Sequence, residues 1–115
     1  MITGVHAVVY SPDAAKVRAF FAEVLEWPSA DAGGGWLIFG LPPAELAVHP
    51  ADSGGHELYL MCDDIHATLA ELRSKGVEVV GDVAEQRWGH LAAIRLPDGA
   101  VFSLYQPRHA SPQPP

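Results

Sequence analysis

Apolar and polar residues alternate along residues 3–10, with Val5, Ala7 and Val9 on one side and His6, Val8 and Tyr10 on the other. That period predicts a strand. Ser11, Pro12 and Asp13 interrupt it; Ser11 or Asp13 can cap a helix, and Pro12 suits its first turn. The period then lengthens. Val17, Phe20, Phe21, Val24 and Leu25 predict a helix over 14–27 that stops before Pro28. A short edge strand is predicted at 29–31, a turn at Gly33, Gly34 and Gly35, a strand at 36–41, a tight turn at Pro42 and Pro43, and a strand at 45–49. The first half reads β-α-β-β-β.

The second half repeats this order. Residues 51–55 hold Asp, Ser and two Gly and form a link. A strand is predicted at 57–62, and a helix opens at Asp63 and Asp64 and runs to Lys75. Its apolar stripe is Ile65, Leu69 and Leu72, and Gly76 is a C-cap. Strands follow at 77–80 and 88–96, then a Pro97-Asp98-Gly99 turn and a last strand at 100–106. His6 lies seven residues before Asp13, and Glu57 seven before Asp64. The chain therefore reads as one α+β domain over 1–107, with module one at 1–50, the linker at 51–55 and module two at 56–107. A repeat this short implies that neither half closes a core alone. Residues 108–115 are Pro-rich with little to bury and predict a flexible tail.

Composition narrows the function classes. The chain is 49% hydrophobic and carries a formal charge of −7, and its few basic residues are scattered, so nucleic acid and anionic membranes are not expected partners. Its one cysteine, Cys62, lies in an apolar run and reads as a small buried hydrophobe. With no internal disulfide, no evident signal peptide and no apolar run near the ~20 residues that span a bilayer, the expectation is a cytoplasmic protein.

Three stretches, residues 5–27, 56–79 and 96–107, in this order and spacing resemble the vicinal oxygen chelate superfamily, which includes glyoxalase I, bleomycin-resistance proteins and type I extradiol dioxygenases. The resemblance implies two tandem βαβββ modules whose curved sheets form a cup with helices outside. By strand parity Val5, Ala7, Val9, Leu58 and Leu60 then face the helices, and His6, Val8, Tyr10, Glu57, Tyr59 and Met61 face the cup. In metal-using members the first and last strands of each module supply ligands. Those positions fall here on His6 and Glu57, and on Leu46 and Ser103. Leu46 cannot ligate, and the Ser103 hydroxyl is a poor ligand. His49 would complete the set if a bulge near Pro50 turned it inward; a one-residue shift of register would exchange Glu57 for His56.

Two readings of function follow. In the first, a divalent metal (Fe, Zn, Mn or Ni) held by His6, Glu57 and His49 stabilises a substrate oxyanion as a Lewis acid. Glu57 and Tyr105 are then the candidate catalytic groups, and Tyr59, Met61, Arg87, Trp88 and Ser103 bind substrate; dioxygenase-like and glyoxalase-like reactions both belong to this reading. In the second, a metal-free cup sequesters a small organic molecule, as bleomycin-resistance relatives do, and Glu57 is paired with His6 or Arg87. Trp88 is either a stacking platform or a buried structural ring, and His56, His66, His90 and His109 read as surface or loop residues. The resemblance also implies a homodimer.

Overall fold

The computed structural model describes residues 6–48 and 50–112. Its element order is α1 (Ala14–Glu23), β1 (Ser29–Asp31), β2 (Leu37–Phe39), β3 (Tyr59–Met61), α2 (Ile65–Ser74), β4 (Ala84–Gln86), β5 (Gly89–Arg95) and β6 (Val101–Pro107). Module two has the whole β-α-β-β-β complement, and its four strands form one sheet in the order β3-β6-β5-β4. β3 runs parallel to β6, while β5 is antiparallel to both β6 and β4.

Local chemistry accounts for these elements. The Asp64 side chain accepts from the Ala67 amide at 3.1 Å and so caps α2. Gln106 adds a second acceptor, taking the Ile65 amide at 2.8 Å. At the other end Gly76 adopts φ 83° and lets the chain leave the helix. The β5–β6 hairpin closes on Pro97, Asp98 and Gly99, where Asp98 Oδ1 accepts from the Ala100 amide at 2.9 Å. Helix α1 is shorter than its sequence pattern predicts. The Leu25 amide bonds back to Phe20 and the Trp27 amide to Phe21, around Glu26 at φ 59°.

Both helices bury their apolar stripes in one core, formed by Val17, Phe20 and Phe21 of α1, Ile65, Leu69 and Leu72 of α2, and Ile94 and Leu104 of the sheet. Phe21 sits where the modules meet. Its ring lies 5.6 Å from Phe39 in module one and 5.8 Å from Phe102 in module two. The modules thus share a core, as the repeat requires. A second tie runs from the Ser11 hydroxyl, just before α1, to Asp98 in the β5–β6 turn.

That tie has a pH consequence. The hydrogen bond from Ser11, with a lesser one from the Ala100 amide, holds the Asp98 carboxyl below the usual aspartate range. Its contribution to stability is therefore whole above about pH 4 and fades as pH falls through the lowered folded-state value. Asp98→Asn keeps an oxygen for the Ala100 amide but removes the charge. Between pH 7 and pH 3 its urea midpoint is expected to fall less than that of the parent chain. Equal falls would remove Asp98 from the acid response.

Module one departs from the sequence expectation. Among its described residues it contributes the two-stranded β1–β2 hairpin. Residues 6–10 and 44–48 carry a strand's alternation, yet they join no sheet. Residues 3–5 and His49 lie outside the described residues. The expected sorting of Ala7 and Val9 against Val8 and Tyr10 also fails, since all four are exposed. The reason is pairing. A short strand is stable only with a neighbour for its amides and carbonyls, and among the described residues neither segment has a paired strand beside it. In module two the strand predicted at 77–80 is reduced to a single bridge, Val79 to Ile94. The edge position passes to β4 after Gly81 turns the chain at φ 71°. At the start of the predicted tail the Arg108 amide donates to the Trp88 carbonyl at 3.1 Å.

Candidate functional site

Strand alternation sets the site. Along β6, Leu104 enters the core, Tyr105 points the other way, and Gln106 reaches back to α2. The register places Met61 beside Tyr105 and Tyr59 beside Ser103. The Tyr105 ring is the centre of an aromatic wall. It lies 6.2 Å from Tyr59, edge to face, 5.6 Å from Trp88 and 5.8 Å from His109. Its hydroxyl donates to the Trp88 carbonyl at 3.1 Å, which fixes the ring. Gly89 is what admits that ring: a Cβ there would collide with Tyr105 and would lie 2.5 Å from the Gln106 carbonyl oxygen.

The wall borders a hollow of about 1510 Å³ that includes Glu45, Tyr59, Met61, Trp88, Tyr105 and His109 in its lining. Pockets for small molecules are typically roughly 300–1,000 Å³, so this space is larger than such a pocket. It continues past the free edge of β3, where module one offers extended chain instead of paired strands.

Two carboxylates flank the aromatic wall. Glu57 Oε2 accepts from the Tyr59 hydroxyl at 2.5 Å, and Glu45 Oε2 lies 2.9 Å from His109 Nε2. The bond to Glu57, and then loss of hydration, push the Tyr59 phenol up. Loss of hydration, and then the Glu45 carboxylate, do the same to Tyr105. Both rings are therefore held neutral, which suits stacking and hydrogen bonding better than proton abstraction. The half-buried Cys62 thiol is likewise pushed up, chiefly by burial, and is not a poised nucleophile.

The predicted site residues separate into groups. Tyr59, Met61, Trp88 and Tyr105 come together at the hollow, and Trp88 is an exposed ring there, tilted 55° to Tyr105. Arg87 and Ser103 are not part of its lining; Ser103 is half-buried in β6 and Arg87 is exposed. His6 lines an adjoining recess of about 520 Å³ with His56 and Glu57, both of which also line the hollow. Glu57 is exposed, and its hydrogen-bond partner is Tyr59, where the sequence suggested His6 or Arg87. The first-strand carboxylate thus needs no buried counter-charge. Among the described residues no three His, Cys, Asp or Glu side chains converge as a metal centre, and His49 lies outside them. Leu46, at the fourth ligand position, is exposed. The donors described here do not amount to a metal site. Glu45 and His109 are the residues that sequence reasoning missed, because the two lie far apart in the chain and no local pattern links them.

Residues 4–104 match the Glyoxalase/Bleomycin resistance protein/Dioxygenase superfamily. The chain belongs to this superfamily. Among solved structures of the glyoxalase/bleomycin-resistance fold, it is similar to TnmS3, an antibiotic binding protein from Streptomyces sp. CB03234. That likeness has 30% identity and a TM-score of 0.67 over 92% of this chain and 97% of that one. It is also similar in fold to a lactoylglutathione lyase from Agrobacterium tumefaciens, at 14% identity and a TM-score of 0.66 over 90% and 92% of the two chains. A further relative, the uncharacterised protein YetH of Bacillus subtilis (strain 168), is 30% identical over 109 residues, which are 84% of this chain and 91% of YetH. The superfamily thus holds both ligand binders and enzymes, and this chain's aromatic wall lies within the matched span up to Leu104, with Tyr105 just beyond it.

Proposed function

We propose that this chain is a small-molecule binding protein that holds a flat organic ligand in its cup. The observation that carries the reading is the wall of Tyr59, Tyr105 and Trp88, fixed by the Tyr105–Trp88 hydrogen bond and open to a large hollow. Such rings offer apolar area at little entropic cost and stack on flat ligands. The likeness to an antibiotic binding protein supports it. Glu45 and Glu57 beside the rings favour a ligand that carries positive charge.

Calorimetry with the flat cation 9-aminoacridine and its neutral analogue acridone tests the reading. Micromolar binding of the cation is expected, with at least a roughly tenfold loss in Tyr105→Leu and in Trp88→Ala. Absence of binding by both probes would refute it.

The shared recess of His6, His56 and Glu57 favours a second reading, the divalent-metal enzyme. Among the described residues His6 and Glu57 are the predicted donors present. Elemental analysis after metal-supplemented growth decides: near-stoichiometric metal that His6→Ala and Glu57→Ala both lose would establish the enzyme reading in place of the binder.

We also propose that the working form is a homodimer. Leu46 and Val48 are 91% and 90% exposed on strand-patterned chain that joins neither sheet. β3 presents an open sheet edge beside the hollow. The radius of gyration, 15.3 Å, exceeds the roughly 13 Å of a compact domain of this length. A second copy supplies both an edge and a segment, so two copies satisfy each other around a two-fold axis.

A further inference from the structure

The tail enters the site. The Arg108 amide is tied to the Trp88 carbonyl, and its guanidinium lies 3.3 Å from the Gln86 carbonyl and 3.2 Å from His90 Nε2. This anchor delivers His109 to the hollow. Its ring stands 5.8 Å from Tyr105 at 40°, with Nε2 on the Glu45 carboxylate at 2.9 Å and Nδ1 on the Ala110 carbonyl at 2.8 Å. In this geometry His109 is a flat ring, packed on Tyr105 and set against the Glu45 carboxylate.

We infer that His109 is an internal occupant of the Glu45–Tyr105 corner, which a flat cationic ligand must displace in order to bind. The inference rests on the ligand-binding reading above. The groups that face the imidazole are Glu45 from the 44–48 segment and Tyr105 from β6; Arg108, its neighbour, is turned toward Gln86 and His90. Glu45 retains only 20% exposure of its side chain, so an arriving cation reaches it by taking the place of His109. A neutral ligand gains nothing from Glu45 and competes less well for the corner. The tail thereby sets both affinity and charge preference.

The test compares the parent chain with His109→Ala and uses two readouts. By calorimetry, His109→Ala is expected to bind 9-aminoacridine roughly tenfold more tightly, because the competent state no longer has to be freed from the tail, and acridone by a smaller factor. By mass spectrometry, tryptic cleavage after Arg108 in the parent chain is expected to accelerate when 9-aminoacridine is added, since the ligand releases the tail. Equal or weaker binding of the cation by His109→Ala overturns the inference while leaving the binding reading intact. So does ligand-induced protection of the Arg108 site. If neither protein binds either probe, the binding reading fails and this inference goes with it.

Discussion

Gly89→Ala is expected to lower the melting temperature by about 5–20 °C and to abolish binding at the aromatic wall. A Cβ at this position would meet the Tyr105 ring and lie 2.5 Å from the Gln106 carbonyl oxygen. The first contact could be relieved by swinging the ring, but that breaks its bond to the Trp88 carbonyl. The second is with backbone of the paired strand, so relief means prising open the end of the β5–β6 ladder, where Gly89 faces Pro107. Overpacking of this kind costs about 1–3 kcal/mol, and each kcal/mol shifts the melting point of a domain this size by roughly 4–8 °C. Gly54→Ala is the control, because a Cβ there meets nothing within 4 Å. Thermal melts and 9-aminoacridine titrations on both variants check the claim. A Gly89→Ala protein that melts and binds like the parent would show that the wall does not depend on this close approach.

The second large effect concerns assembly. The parent chain is expected to scatter light as a species of twice its 12.3 kDa mass, and the double variant Leu46→Asp, Val48→Asp as a monomer. The two residues are separated by one position, so in extended chain they share a face. Placing two carboxylates on that face costs each its solvation in any interface that buries it. The monomeric variant should keep its helical circular dichroism, because the core of α1, α2, β5 and β6 contains neither residue. Its affinity for 9-aminoacridine should fall, since the hollow then stays open on the β3 side. A parent chain that is monomeric at tens of micromolar would dispose of the dimer, and an unchanged dimer in the variant would dispose of this face as its interface.

Module two was legible because its signals are local. The Asp64 cap, the Ile65, Leu69 and Leu72 stripe, Gly76 and the Pro97-Asp98-Gly99 turn each act within a few residues, and all sit where their chemistry predicts. Strand parity also placed Tyr59, Met61 and Tyr105 on one face. Module one was legible as pattern but not as pairing. Residues 6–10 and 44–48 alternate correctly, yet alternation cannot say which strand lies alongside. The edge strand slipped from 77–80 to β4 because Gly81 takes a left-handed backbone that an alternation count does not register. The metal set, His6, Glu57 and His49, was carried over from a resemblance, position by position; Glu57 accepts from Tyr59, and His49 lies outside the described residues. His109 was read as part of a loose tail because nothing near it in sequence reveals Glu45.

The placement of Phe21 bears on how the chain is made. Its ring waits for Phe102, which lies in the final strand. During synthesis from the N-terminus, α1 leaves the ribosome early, and its apolar face is not fully covered until β6 has followed. Contacts that distant in sequence also form late in refolding. The first half of this chain is thus translated as an exposed amphipathic helix beside unpaired extended segments, a state that invites association between nascent chains. Cells that express it in quantity would have reason to shield that half until the last strand arrives.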